Sequence, residues 1–167
     1  MRERRRAMTD NRSSDHEIEQ ALSAEQGRSG LSGRPNILRL LLAIQDRIGY
    51  VPPQSVPQIA RGIGASEAEV AGVLSYYPDL RTAAPGRHVI RICTGESCVA
   101  NHCVQLVKAL RDRLGIEIGQ TDPGGRFTLE RVYCMGNCAV SPAVAVNQDL
   151  YGRVEPTQIP SLLDRYQ

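Results

Sequence analysis

The sequence predicts an α/β fold in two parts, a small helical bundle in front and a compact α/β layer behind it. Three observations carry that prediction. Apolar residues recur at helical spacing between Asn36 and Tyr77. From Arg87 onward, β-branched runs alternate with an amphipathic helix. All five cysteines fall in this second half, in the stretches "ICTGESCVANHC" and "YCMGNCAVSP".

A chain of 167 residues can bury one good core and a small second one. With 41% apolar and 23% charged residues it has the composition of a soluble globular protein. A net charge of +2 argues against nucleic acid or an anionic membrane as partner. The basic run "RERRR" at residues 2–6 is followed by polar residues, where a secretory or twin-arginine signal needs an apolar segment. No stretch approaches the length of a membrane span. The expectation is a cytoplasmic protein whose cysteines are reduced thiols or metal ligands rather than disulfides. Met8 offers a second start codon beyond the arginine run.

Residues 1–33 are polar, show little periodicity and are expected to form a mobile tail, with room for a short helix around Asp15–Ala24. Residues 34–84 form the helical unit. Ile37, Leu41, Ile44 and Ile48 share a helix face, and Gly49 stands where that helix ends. "YVPPQSVPQIARGIG" predicts a turn and a short helix carrying Val56, Ile59, Ala60 and Ile63, with Pro57 tolerated in the first turn. "SEAE" at residues 66–69 has the form of a capping box, opening a helix with Val70, Val73, Leu74 and Tyr77 on one face and Pro78 as its stop.

Residues 85–167 alternate. "RHVIRIC" reads as a strand with period-two exposure, followed by a helix over 101–114 whose apolar face holds Cys103, Leu106, Val107, Leu110 and Leu114. "GIEIGQ" reads as a short strand, "TDPGG" as a turn and "RFTLERVYC" as a strand running into the second cysteine loop. "PAVAVN" and "LYGRV" predict a hairpin around "QD", and Thr157 is placed to cap a last helix with Ile159, Leu162, Leu163 and Tyr166. Strand, helix and strand followed by an antiparallel pair and a helix predict a sandwich of thioredoxin type.

Cys93 and Cys98 form C-x4-C, and Cys134 and Cys138 form C-x3-C. Each pair follows a strand and contains a glycine, Gly95 or Gly136, that lets the backbone bend tightly. A dithiol redox enzyme normally needs C-x-x-C, which is missing here. A structural zinc ion takes four thiolates, most often on tighter knuckles. A [2Fe–2S] cluster needs two thiolates on each of two irons and accommodates wider pairs, so the spacing favours it over zinc. Plain buried thiols are the remaining alternative. Cys103 lies on the apolar helix stripe and reads as core. His102 has no vacancy to fill beside four thiols, His88 and His16 lack acid–base partners, and "DPGG" precedes no helix that would make it a phosphate loop.

From Asn36 to the C-terminus the chain resembles the thioredoxin-like [2Fe–2S] ferredoxin family, the small iron–sulfur subunit of NADH dehydrogenase-type complexes. "ILRLLLAIQDRIGYVPPQSVPQIARGIGASEAEVAGVLSYY" is similar to that family's helical domain, "APGRHVIRICTGESC" to its first ligand segment and "DPGGRFTLERVYCMGNCAVSPAVAVN" to its second. The resemblance implies that Cys93, Cys98, Cys134 and Cys138 hold one [2Fe–2S] cluster and that Cys103 does not. Gly95, Gly136 and Asn137 would supply N–H donors that tune its potential. The resemblance further implies a non-catalytic electron-transfer subunit. Its helical unit would dock beside a flavoprotein binding FMN and NAD(H), near a larger iron–sulfur subunit. "SYYPDLR" departs from the respiratory pattern and looks more like the gamma subunit of soluble NAD-dependent formate dehydrogenase, where the larger subunit carries molybdenum. The alternatives are the equivalent subunit of respiratory NADH:quinone oxidoreductase or of an NAD-reducing hydrogenase, and, in another class, a zinc-bound structural module.

Overall fold

The computed structural model describes residues 2–28 and 36–166. The chain divides into two units, Met1–Ala84 and Pro85–Gln167.

Among its described residues the first unit holds four α-helices. Helix α1 runs from Arg2 to Arg28. Its second half corrects the expectation of a polar tail, because Ile18, Ala21 and Leu22 are buried with the core of the unit. Glu25 completes the stripe at helical spacing and is itself 4% exposed. Burying that charge is tolerable because Arg39 grips it through Nε, at 2.8 Å from Oε2, and through Nη2, while the Asn36 N–H donates to Oε1 at 3.2 Å. The stripe is hard to read from the sequence because a carboxylate occupies one of its four places and its partner lies on another helix. The part of the expected tail at 29–33 lies outside the described residues.

Helix α2, Ile37–Ile48, starts at Asn36, whose side chain accepts from the Arg39 N–H, and ends at Gly49 with φ 88°. A 3₁₀ turn, Pro53–Ser55, leads into α3, Val56–Ile63, with Pro57 in its first turn. Gly62 of α3 is where α1 sits down: a Cβ there would lie 2.7 Å from a Leu22 methyl. Gln26 Nε2 also donates to the Gly62 carbonyl at 2.6 Å. Helix α4, Glu67–Tyr76, opens with the capping box of Ser66 and Glu69. Leu40, Leu41, Ile44, Ile59 and Val70 fill the centre. The "SYYPDLR" stretch is tied down by Gln45, which donates to the Asp79 carbonyl at 2.8 Å and accepts from the Arg81 N–H at 2.6 Å.

The second unit holds a four-stranded sheet in the order β2-β1-β3-β4, with β1 His88–Cys93, β2 Phe127–Val132, β3 Val144–Val146 and β4 Asp149–Tyr151. Strands β1 and β2 are parallel, in register from His88 opposite Phe127 to Cys93 opposite Val132. Strand β3 is antiparallel to both β1 and β4. Strand β1 lies inside the sheet, so it buries Val89, Ile90, Ile92 and Cys93 instead of alternating. Ile90, Ile92, Phe127, Leu129, Val144 and Val146 pack with Leu106 and Leu110.

The connection from β1 differs from the single helix expected. Helix α5, Glu96–Ala100, takes in Cys98, and His102 turns through a positive φ of 62° before α6, Cys103–Leu114. "GIEIGQ" is not a strand. Ile116 is buried, but Gly119, with φ 86°, bends the segment. The bent segment meets the edge of β2 at Leu129, which accepts from the Gly119 N–H and donates to the Gln120 carbonyl. The last helix, α7 Ile159–Leu163, follows a 3₁₀ turn capped by Glu155 and Gln158, so Thr157 lies inside the turn and is not the cap.

Because Ile18 is 1% exposed, Ile18→Ala should lower the stability of the helical unit by about 2–4 kcal/mol. Urea unfolding followed by circular dichroism measures it, and a change within about 0.5 kcal/mol would mean that α1 does not hold the core together.

Candidate metal centre

Parallel pairing makes β1 and β2 end side by side, so the two cysteine loops leave the sheet at the same edge. Cys93 is the last residue of β1 and its N–H donates to the Ala143 carbonyl at 3.1 Å. Thr94 continues toward β2, donating from its N–H to the Val132 carbonyl at 2.8 Å. Gly95 then brings the first loop against the second. A Cβ on Gly95 would lie 2.4 Å from the Tyr133 carbonyl oxygen, a contact that real side chains do not make. Gly136 turns the second loop through φ 75° and its N–H donates to Cys134 Sγ at 3.3 Å. Of the donors expected from the sequence, this one is directed at sulfur.

The thiols divide by environment. Cys93, Cys98 and Cys103 are buried together with Ala143, flanked by Val132 and Met135. Cys134 and Cys138 are exposed. Burial first, and then the neighbouring Cys93, push the Cys98 thiol up to about 11. Cys138 is raised chiefly by the neighbouring Cys134, with a further push from Cys93. Burial raises Cys103. Thiols that resist ionising next to one another are stabilised as thiolates when a cation sits between them, and metal binding then releases their protons.

The thiols therefore come as two pairs, one buried and one exposed. Among the described residues no three His, Cys, Asp or Glu side chains gather as ligands of a single ion. Two pairs of soft sulfur donors can supply two thiolates to each of two irons. Cys103 lies on the inner face of α6, as its spacing predicts, but it packs against Cys93 and Cys98 rather than among the leucines. His102 is exposed at the start of α6, His88 packs its ring near Phe127 and Tyr166, and His16 lies on α1 beside Gln20.

Sequence reasoning missed Ser97, Asn101 and Ser141, which link the loops through hydrogen bonds of 2.8 Å between the two serine hydroxyls and 3.0 Å from Asn101 to Ser141. Ser97 lies between two cysteines, but nothing local marks Ser141 as its partner.

A parallel strand–helix–strand layer with paired thiols at one edge defines a small α/β metal-cluster protein. Residues 22–167 match the thioredoxin-like [2Fe–2S] ferredoxin family, and the chain belongs to that family, whose members hold one [2Fe–2S] cluster. It is 35% identical over 129 residues to the E subunit of the NADH-quinone oxidoreductase of Pseudomonas aeruginosa, covering 77% of this chain and 78% of that protein. The corresponding protein of Escherichia coli K12 is 36% identical over the same shares. The NADP-reducing hydrogenase subunit HndA of Solidesulfovibrio fructosivorans is 31% identical over 131 residues, covering 78% of this chain and 77% of that one. In fold the chain is similar to the NAD+-reducing [NiFe]-hydrogenase in its air-oxidised state, with a TM-score of 0.65, 19% identity, and coverage of 80% of this chain and 23% of that one. No helix among the described residues is long and apolar enough to cross a membrane.

Gly95→Ala should force the two loops apart and lower the iron and acid-labile sulfide retained by the purified protein several-fold, because the obstacle is backbone and cannot rotate away. Metal analysis checks it, and wild-type content in that variant would show that the loops need not approach so closely.

Proposed function

We propose that the chain is the electron-transfer [2Fe–2S] subunit of an NADH:quinone oxidoreductase-type or NAD(P)-reducing-hydrogenase-type complex, with Cys93, Cys98, Cys134 and Cys138 as ligands. The observation that carries this reading is that the loops bearing the two thiol pairs leave the sheet at one edge and meet backbone to backbone at Gly95 and Tyr133, with one pair buried and the other exposed. A [2Fe–2S] cluster supplies one-electron chemistry when bound. The residues of this chain hold it, shield one side and tune it. Val132, Met135 and Ala143 exclude water around the buried pair, which resists added negative charge, whereas the Gly136 N–H toward Cys134 favours it. The exposed pair leaves one side of the centre open to a partner's redox group.

The relatives named above favour the oxidoreductase and hydrogenase complexes over the formate dehydrogenase suggested by "SYYPDLR". In that stretch Asp79 and Arg81 are engaged through their backbones by Gln45, and Arg81 also accepts from the Val51 N–H at 2.8 Å. Those contacts give the motif a structural use whichever complex the chain joins. The partner we propose is a flavoprotein that binds FMN and NAD(H), docked on this chain in a cytoplasmic assembly, with the helical unit available as a docking surface.

Anaerobically reconstituted protein should contain iron and sulfide in equal amounts and give a reduced [2Fe–2S] EPR signal. Cys134→Ala and Cys138→Ala should lose both, whereas Cys103→Ala should keep them at a packing cost of about 1 kcal/mol. A colourless protein binding one zinc per chain would support the structural-module alternative instead. The chain by itself should turn over neither NADH nor formate, and with a flavoprotein partner it should form a complex in which NADH reduces flavin. Turnover by the isolated chain would overturn the electron-relay reading.

A further inference from the structure

Three polar side chains form a directed chain of hydrogen bonds from helix α5 to the Cys138 turn. Asn101 Nδ2 donates to the Ser97 carbonyl at 2.8 Å and to Ser141 Oγ at 3.0 Å. A carbonyl can only accept, so the first of these contacts fixes which way the amide faces, and both of its hydrogens are used. Ser97 Oγ donates to the Cys138 carbonyl at 3.3 Å. Ser97 has one hydroxyl proton, so in its 2.8 Å contact with Ser141 the proton comes from Ser141. One polarity satisfies every contact: Asn101 to Ser141, Ser141 to Ser97, and Ser97 to the backbone of Cys138. Chains with a single consistent direction strengthen each member.

The position of this chain matters because of how unevenly the thiols are held. Cys93 and Cys98 are fixed by burial, whereas Cys134 and Cys138 are exposed and have little apolar packing to restrain them. The 3₁₀ turn Cys138–Val140 has its own local bonds, from the Val140 N–H to the Asn137 carbonyl at 3.2 Å and from the Ser141 N–H to the Cys138 carbonyl at 3.2 Å. Ser97 is the side chain that ties this turn to the helix carrying Cys98. We propose that Asn101, Ser141 and Ser97 are positioning residues that lock the Cys138 turn onto α5 and so hold the exposed thiol pair in register with the buried pair. The inference rests on the ligand reading above and adds what fixes the open side of the site. A lock here limits ligand movement when charge on the centre changes, and slows loss of metal from the side that water can reach.

The test uses the full chain in two states. In the metal-free chain, hydrogen exchange at the Val140 and Ser141 amides reports opening of the turn directly. Asn101→Asp keeps the size of the side chain but removes both donors. It and Ser97→Ala should each accelerate that exchange on the order of five-fold, the ratio that one net hydrogen bond supports. The double variant should be no faster than either single one, since one break already interrupts the chain, and Ser141→Thr should exchange like the unmutated protein. In the reconstituted chain, iron release to a chelator should follow the same order. Unmutated exchange rates in Asn101→Asp, or single effects that multiply in the double variant, would overturn the lock. An unmutated chain that takes up no iron and sulfide would overturn the ligand reading, while the exchange rates would still decide whether the turn is locked.

Discussion

The site depends on a backbone-to-backbone approach. Where Gly95 meets the Tyr133 carbonyl there is no space for a single carbon atom. This approach holds against one another the two loops that carry two thiols each. Several other features follow from this contact. Thr94 zips the first loop to the end of β2, and Cys93 is tied to Ala143. The serine and asparagine side chains close the far side. A glycine is required at 95 for lack of space, and at 136 for a different reason, a positive φ that lets the second loop turn its N–H toward Cys134.

Much of the fold was legible because its signals are local. Asn36 and Gly49 bracket α2, and Ser66 and Glu69 open α4, each through contacts within a few residues. The hairpin pairing Val144 with Tyr151 was legible for the same reason. What escaped was decided at a distance. Helix α1 has a narrow apolar stripe completed by Glu25, a residue that counts as polar until Arg39 is placed beside it. "GIEIGQ" alternates like a strand, but Gly119 bends it away from continuous pairing, and it meets β2 only through the bonds of Gly119 and Gln120 with Leu129.

The cysteines show the same division. Their grouping into C-x4-C and C-x3-C is written in the spacing, and so is the inward face of Cys103 on its helix. The asymmetry between the pairs is not. It comes from Val132, Met135 and Ala143, which cover Cys93 and Cys98 and leave Cys134 and Cys138 to solvent. Nor does spacing reveal that Ser97 and Ser141, 44 residues apart, share a hydrogen bond. The structure adds the hydrogen bonds that join the Cys138 turn to α5.

The parallel pairing of β1 with β2 has a consequence for the order in which the protein is made. The ribosome releases Cys93 and Cys98 well before Cys134, and β1 has neither of its neighbours until β2 and β3 follow. A nascent chain therefore offers two thiols without their counterparts. Any delivery of metal at that stage would meet half a site, held by no second loop. On the proposed ligand set, the four donors come together only with the long-range pairing of β1 and β2, so a cluster would be accepted only once this half of the molecule has folded.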